Sequence, residues 1–390
     1  MTGYVKADEI KLVYSGENYF EILEELIENS KETLHLQTYI FESDSTGKRI
    51  IQSLKRAVAR KVTVYLLADA FGSYPFSASA RKELLHAGVF FRLFSPLFSS
   101  ESVFFGRRLH HKIAVADKNT ALIGGINIAD KYHLNTSELH WLDYAVLLKG
   151  PCCEYVHLLC EQFYSKQKSN RLKYLEKELS QSNSSEIKNH FRFRRNDWIK
   201  GKNEIHKSYT EALIKAEKSI TLVASYFLPG RSFRKLLADA AKRGIEINII
   251  LAGKSDLGSI RTAENYLHRF YLKNGIKIFE WTTSVMHGKA ILVDGKWATI
   301  GSYNLNYLSH YISIELNTDI VDPDVLAEFS THLNHILIHD CKAITIQKEN
   351  ENGFEKINQW IAYNFFKLIR AFMMLSKNYK KRKPHFFAKK

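Results

Sequence analysis

Apolar positions along the chain switch between two periods. Tyr19, Ile22, Leu23, Leu26 and Ile27 recur at the spacing of one helix face, and the apolar run at 33–41, ending in Tyr39-Ile40-Phe41, predicts a buried strand. Ile50, Ile51, Leu54 and Val58 mark a second helix face that leads through Arg60-Lys61 into a strand at 62–67, and Gly88-Val89-Phe90 opens another. The order then returns. Tyr209, Ala212, Leu213 and Ala216 precede an apolar run at 220–227; Phe233, Leu236, Leu237 and Ala240 lead through Arg243-Gly244 into 245–251; Gly275-Ile276-Lys277 opens the next strand. Helices alternating with short, nearly continuous apolar strands predict an α/β fold, each sheet flanked by helices.

The 390 residues accommodate two such units of ordinary domain size. The expected division is 1–165 for the first domain, 166–197 for a polar linker around a short charged helix, 198–350 for the second domain and 351–390 for a tail. With 45% hydrophobic and 25% charged residues the chain is not disordered, and four cysteines without a CxxC pair exclude a disulfide scaffold and a cysteine zinc site. The first residues lack the apolar core of a signal peptide, and no apolar run approaches the length of a bilayer span. The expectation is a reducing location and action on any membrane from one side.

The net charge of +15 favours a polyanionic partner, but nine of the fifteen excess charges lie between Gly353 and Lys390. Such concentration argues against a nucleic-acid groove. In that tail Ile357, Trp360, Ile361, Phe365, Leu368 and Phe372 recur at helical spacing, with Lys356, Lys367 and Arg370 among them and Lys380-Lys381-Arg382-Lys383 beyond. An apolar helix face with a polybasic end suits the plane of an anionic leaflet. A second aromatic stretch, Phe90, Phe91, Phe94, Phe98, Phe104 and Phe105, precedes Arg107-Arg108; Phe90 reads as core, whereas Phe98, Phe104 and Phe105 read as loop residues at a pocket mouth.

The chemistry is carried by a motif that occurs twice. Leu109-His110-His111-Lys112-Ile113-Ala114-Val115-Ala116-Asp117 and Met286-His287-Gly288-Lys289-Ala290-Ile291-Leu292-Val293-Asp294 both fit HxKxxxxD, at equivalent points of the repeat. Fifteen residues after each histidine comes Gly125 or Ser302, and seventeen after comes Asn127 or Asn304. In extended backbone residues i and i+2 share a face, so His110 projects with Lys112 and His287 with Lys289. His111 reads as packing. If the halves meet about a pseudo-twofold axis, one pocket receives two imidazoles, two ammonium groups and two amides. That inventory suits a phosphodiester: lysines neutralise the non-bridging oxygens, one imidazole attacks phosphorus, and the other moves the proton of the leaving and entering oxygens. No metal is required.

Duplicated HxKxxxxD with trailing Gly124-Gly125-Ile126-Asn127 and Gly301-Ser302-Tyr303-Asn304 resembles the phospholipase D superfamily over nearly the whole chain to about residue 345. Gln37-Thr38-Tyr39-Ile40-Phe41, Leu67-Ala68-Asp69-Ala70-Phe71-Gly72-Ser73 and Tyr226-Phe227-Leu228-Pro229 are most similar to the bacterial cardiolipin synthases. The resemblance implies two phospholipase D-type sandwich domains, each a sheet flanked by helices, related by a pseudo-twofold axis around one shared active site. It implies His110 as nucleophile and His287 as general acid/base in a catalytic set of His110, Lys112, Asp117, His287, Lys289 and Asp294, with the two aspartates holding strand turns. Asn127, Ser302 and Asn304 would contact substrate. An acidic residue downstream of each motif would orient a histidine: Glu315, twenty-eight residues after His287, and Asp143, thirty-three after His110. The implied activity is phosphatidyl transfer forming cardiolipin from phosphatidylglycerol through a phosphohistidine. No cofactor or metal and no nucleic acid is implied; the partner is an anionic phospholipid membrane containing phosphatidylglycerol, approached peripherally at its cytoplasmic face. The motifs themselves leave transferase, lipid hydrolase and nuclease open, and a catalytically dead lipid-binding protein stands against the presence of both histidines and both lysines.

Overall fold

A computed structural model describes residues 3–96, 107–133, 140–182, 187–254, 257–345 and 353–381. Among these, a seven-stranded sheet runs in the order Glu9–Tyr14, Tyr144–Lys149, Thr120–Gly124, Lys112–Ala116, Thr33–Thr38, Thr63–Asp69, Phe90–Phe94. The second sheet repeats six of these places with Ser313–Ile320, Trp297–Gly301, Lys289–Val293, Ser219–Ala224, Glu246–Lys254 and Lys277–Val285. In each half the last three strands of that order are parallel, joined by helical crossovers, while the motif strand runs antiparallel to the first of them. Buried Leu34, Leu36, Val64 and Leu66 match the continuous apolar runs that central parallel strands require.

The helices Glu17–Asn29 and Ser45–Ala59 cover the outer face of the first sheet, and Glu204–Lys215, Arg231–Lys242 and Gly258–Lys273 that of the second. Between the sheets lies a third core drawn from both halves. Ile123, Tyr144 and Val146 join Ile300, Ile314 and Leu316 there, with Phe163 and Phe329 from flanking helices. Each such side chain contributes about 1.5–3 kcal/mol on burial, so the shared core fixes the two halves relative to each other. Backbone pairing adds to this: Arg108–Leu109 pairs in parallel with Ser313 and Ile314 of the other half, and Leu142 bridges to Met286.

The segment 166–197 is more than a linker. Asn170–Gln181 is the expected helix, but His190–Asp197 is a strand of the second sheet, antiparallel to Ser313–Ile320. Its alternation buries Phe191 and sends Arg192 and Arg194 to the fully buried Asp319, at 2.8 and 3.5 Å. The period-two pattern was overshadowed by the polar residues around it.

One aromatic assignment changes as well. Phe90, expected in the core, is 52% exposed and stacks on Tyr65. The tail helix, Gly353–Lys381, docks through Tyr363 and Phe366, a face other than the apolar stripe read from the sequence. Tyr363 stacks on Tyr266 at 4.8 Å and accepts a hydrogen bond from Arg234. Ile357, Trp360, Ile361, Phe365 and Leu368 are all more than half exposed. No helix among the described residues is long and apolar enough to cross a membrane. Phe98, Phe104, Phe105 and the 382–383 end of the basic run lie outside the described residues, as do the side chains of Arg370, Phe372, Lys380 and Lys381.

The motif aspartates belong to the scaffold. Asp117, with φ 51°, accepts the backbone N–H groups of Lys31, Glu32 and Thr33 at 2.8–2.9 Å. Asp294, with φ 56°, does the same for Glu217, Lys218 and Ser219 at 2.7–2.9 Å. Each ties the motif strand's last turn to the start of the neighbouring strand, at the end away from the histidine, as the strand-turn role requires. Asp117→Ala is expected to cost about 1–3 kcal/mol, since it strands backbone donors and puts alanine in a left-handed conformation. Asp117→Asn, which tolerates that conformation, should cost less. Denaturant unfolding checks the order, and the folded fraction of both variants should keep full activity per molecule.

Candidate active site

Both motif histidines line one cavity of about 470 Å³, together with Tyr39, Asn127, Tyr132, Trp141, Tyr226 and Asn304. Ile40, Phe71, Leu257, Ile260 and Ile312 give it apolar walls. A few convergent polar groups in an otherwise apolar cleft are the usual build of a site for a large, mostly apolar ligand.

The histidines are held by carboxylates in a crossed arrangement. His110 Nδ1–H donates to Glu315 Oε2 at 2.9 Å, and His287 Nδ1–H donates to Asp143 Oδ2 at 2.6 Å. Each imidazole therefore uses the acid of the opposite half. The cause is backbone pairing across the interface. The N–H groups of His110 and His111 both reach the carbonyl of Ile314, and that of His287 reaches the carbonyl of Leu142, so the next residue along, Glu315 or Asp143, faces the imidazole. A carboxylate only accepts, so it fixes the proton on Nδ1 and leaves Nε2 for chemistry.

The two acids differ in length, and their surroundings compensate. Ser302 Oγ donates to Glu315 Oε2 at 2.5 Å. In the first half a Cβ at Gly125 would stand 2.4 Å from Asp143 Oδ1, so the shorter carboxylate occupies the space that a serine would need. Ser302, expected to contact substrate, is instead fully buried beneath Glu315. His111 is likewise buried, 2.8 Å from Gln37 Oε1.

Lys112 and Lys289 lie behind the imidazoles. Each donates to the carbonyl of its own histidine, and Lys289 Nζ also lies 3.4 Å from Asp143. Burial pulls His287 down to about 4, with Lys289 adding to the effect and Asp143 opposing it. His110 is lowered for the same reason, against Glu315. Burial raises Asp143, but Lys289 and His287 outweigh it and hold the carboxyl below its ordinary range. Both imidazoles are thus neutral at pH 7, each with an Nε2 lone pair. Burial brings Lys112 down to about 7, with Glu315 opposing and Lys289 assisting. The asparagines brace the pocket rim: Asn127 Oδ1 accepts from the Ile40 N–H at 3.0 Å, and Asn304 Oδ1 accepts from Ser225 Oγ at 2.8 Å.

Several site residues had no assigned role in the sequence reading. Tyr132 and Trp141 pack on His287 at ring distances of 5.2 and 5.8 Å, and Tyr39 packs on His110 at 4.8 Å. Asp69, fully buried, accepts the Leu109 N–H at 2.9 Å and pairs with Arg108 at 3.4 Å, which anchors the residues just before His110. A carboxylate ending an apolar strand was the available signal. Arg107 pairs with Asp197, so neither arginine is an uncommitted cation at the mouth.

The family described as cardiolipin synthase, PLD-like domain, matches residues 23–157 and again 209–337. Cardiolipin synthase B of Shigella flexneri is 30% identical over 373 residues, covering 95% of this chain and 88% of that protein. Cardiolipin synthase 1 of Staphylococcus epidermidis is 28% identical over 328 residues, covering 82% and 65%. In fold the chain is similar to the crystal structure of phosphatidylserine synthase from Haemophilus influenzae Rd KW20, with a TM-score of 0.72 at 18% identity and 96% of each chain covered.

The position of Lys112 generates a pH prediction. Its ammonium is charged below about pH 7 and neutral above, so affinity for an anionic phosphodiester should fall as pH rises through 7. A bound phosphate favours the charged form and raises that value. In initial-rate profiles the alkaline fall in kcat/KM should therefore begin at lower pH than the fall in kcat, and Lys112→Met should abolish the difference.

Proposed function

The chain belongs to the cardiolipin synthase, PLD-like domain family, and from that membership we propose that it joins two phosphatidylglycerol molecules into cardiolipin and releases glycerol. It is a phospholipid phosphatidyltransferase of the phospholipase D superfamily. The observation that carries the finer reading is the convergence of one Nδ1-anchored imidazole from each half on a single apolar-walled pocket.

In the proposed reaction Nε2 of His110 attacks the phosphorus of the donor lipid. The bond from phosphorus to the headgroup oxygen breaks, and His287, once its neutral Nε2 has taken up a proton from solvent, passes that proton to the departing glycerol oxygen. The hydroxyl of a second phosphatidylglycerol then enters; His287 removes its proton, the oxygen attacks phosphorus, and the P–N bond breaks. Lys112 and Lys289 offset the charge that builds on the non-bridging oxygens. Asp143 and Glu315 support the imidazoles through Nδ1, and Asn127 and Asn304 shape the rim around the headgroup. With water as acceptor the same steps give hydrolysis, so exclusion of water by the acceptor lipid decides between transferase and phospholipase.

The proposed partner surface is an anionic membrane, met by the tail helix. That helix packs on Gly258–Lys273 and touches Tyr307–Ile312, which supply Ile260, Ser309 and Ile312 to the pocket. Its outward stripe from Ile357 to Leu368 offers apolar area, and the basic residues of the tail offer about 1 kcal/mol each near an anionic surface.

Purified protein with labelled phosphatidylglycerol vesicles should yield cardiolipin and glycerol; phosphatidic acid as sole product would make the protein a hydrolase. His110→Ala and His287→Ala should each lower turnover of this lipid by at least about a thousandfold. The double variant Trp360→Ser, Phe365→Ser leaves the docked face of the tail intact. It should sediment with phosphatidylglycerol vesicles about tenfold less tightly, at low and at high salt. Unchanged sedimentation would remove the stripe from the membrane contact.

A further inference from the structure

The two histidines have near-equivalent anchors, yet their Nε2 sides differ. Five residues after Asn127 stands Tyr132; five after Asn304 stands Ser309. Tyr132 is fully buried and its hydroxyl lies 3.4 Å from His287 Nε2, while a serine side chain at 309 is too short to repeat such a contact.

The direction of hydrogen bonding can be worked out from donors that have no choice. The Ile40 N–H only donates, so the Asn127 atom facing it, at 3.0 Å, is the carbonyl oxygen Oδ1. The amide nitrogen Nδ2 therefore faces Tyr132, where it donates to the hydroxyl at 2.9 Å. With its oxygen taken as an acceptor, Tyr132 turns its own proton toward His287 Nε2. On the ring's far side Asp143 only accepts, so Nδ1 carries the hydrogen. Lys289 Nζ stands 2.7 Å from that same Nδ1 and directs two of its three donors to the His287 carbonyl and Asp143, while Asp143, at 2.6 Å, takes the Nδ1 hydrogen. The chain Asn127, Tyr132, His287, Asp143 is thus oriented from one end to the other.

We propose that Tyr132 is a positioning residue that commits His287 to proton transfer and leaves His110 as the nucleophile, an inference that rests on the phosphatidyl-transfer reading. An Nε2 lone pair aimed at a hydroxyl is not aimed at phosphorus. At 3.4 Å the contact is long and loosely held, so the lone pair is released when an acceptor hydroxyl arrives with a proton to give. The ring is gripped edge-on by Trp141 at 5.3 Å, which fixes where the hydroxyl points.

Tyr132→Phe removes the hydroxyl and keeps the ring. Two donors separate its role from a structural one: phosphatidylglycerol, whose alkoxide leaving group needs a proton, and the p-nitrophenyl ester of phosphatidic acid, whose leaving group does not. The variant should transfer from phosphatidylglycerol about tenfold more slowly, within the range spanned by proton-transfer catalysis, while its burst of p-nitrophenol is unchanged. In a His287→Ala background the same substitution should have no further effect on that burst. Unchanged transfer from phosphatidylglycerol, or an equal loss with both donors, would overturn the proposal. A wild-type enzyme that moves no phosphatidyl group to any acceptor would instead overturn the reading beneath it.

Discussion

The structure depends on two hydrogen bonds that cross between its halves, His110 to Glu315 and His287 to Asp143. Neither half holds a complete site. A histidine delivered by one sheet is oriented by a carboxylate from the other, and the shared core with its backbone bridges sets that register. The crossing makes the two-domain architecture a condition of the chemistry.

The same crossing explains how so much charge is tolerated out of water. Asp143 and Glu315 are essentially unexposed, and so are Lys112 and Lys289. Isolated, each would carry a large desolvation penalty; grouped as two acids and two bases they offset one another. The balance is left imperfect in a useful direction. Glu315 Oε1 has no hydrogen-bond partner among the described residues, and burial brings Lys112 down to about 7. On the proposed reading, an entering phosphodiester would bring negative charge near Lys112 and favour its charged form.

The repeat, the alternation of helices with buried strands and the motif pair were legible in the sequence because they rest on local periodicity and fixed spacing. The partners of the histidines were half legible. Glu315 and Asp143 stand out by interval and type, but which histidine each serves is set by contacts between residues some 144 and 205 positions apart, and no local pattern encodes those. His190–Asp197 was hidden because its alternation is short and mixes arginine with phenylalanine; its strand character comes from Asp319 and Ile320 across the ladder. The tail helix was legible as a helix, yet Tyr363 and Phe366 dock it only because Tyr266 and Arg234 wait on the neighbouring helices. Tyr132 went unseen because its meaning lies in a proton direction, and that requires the amide of Asn127 and the N–H of Ile40 to be in place.

The central claim is that one imidazole from each half works on the same phosphorus atom, with distinct tasks. Rapid quenching of the enzyme with phosphorus-labelled phosphatidylglycerol, followed by peptide mapping under conditions that preserve phosphoramidates, reads this directly. The account predicts label on the peptide carrying His110, retained when His287 is replaced by alanine and a p-nitrophenyl donor is used. Label on the peptide carrying His287, or turnover without any labelled enzyme, would contradict it.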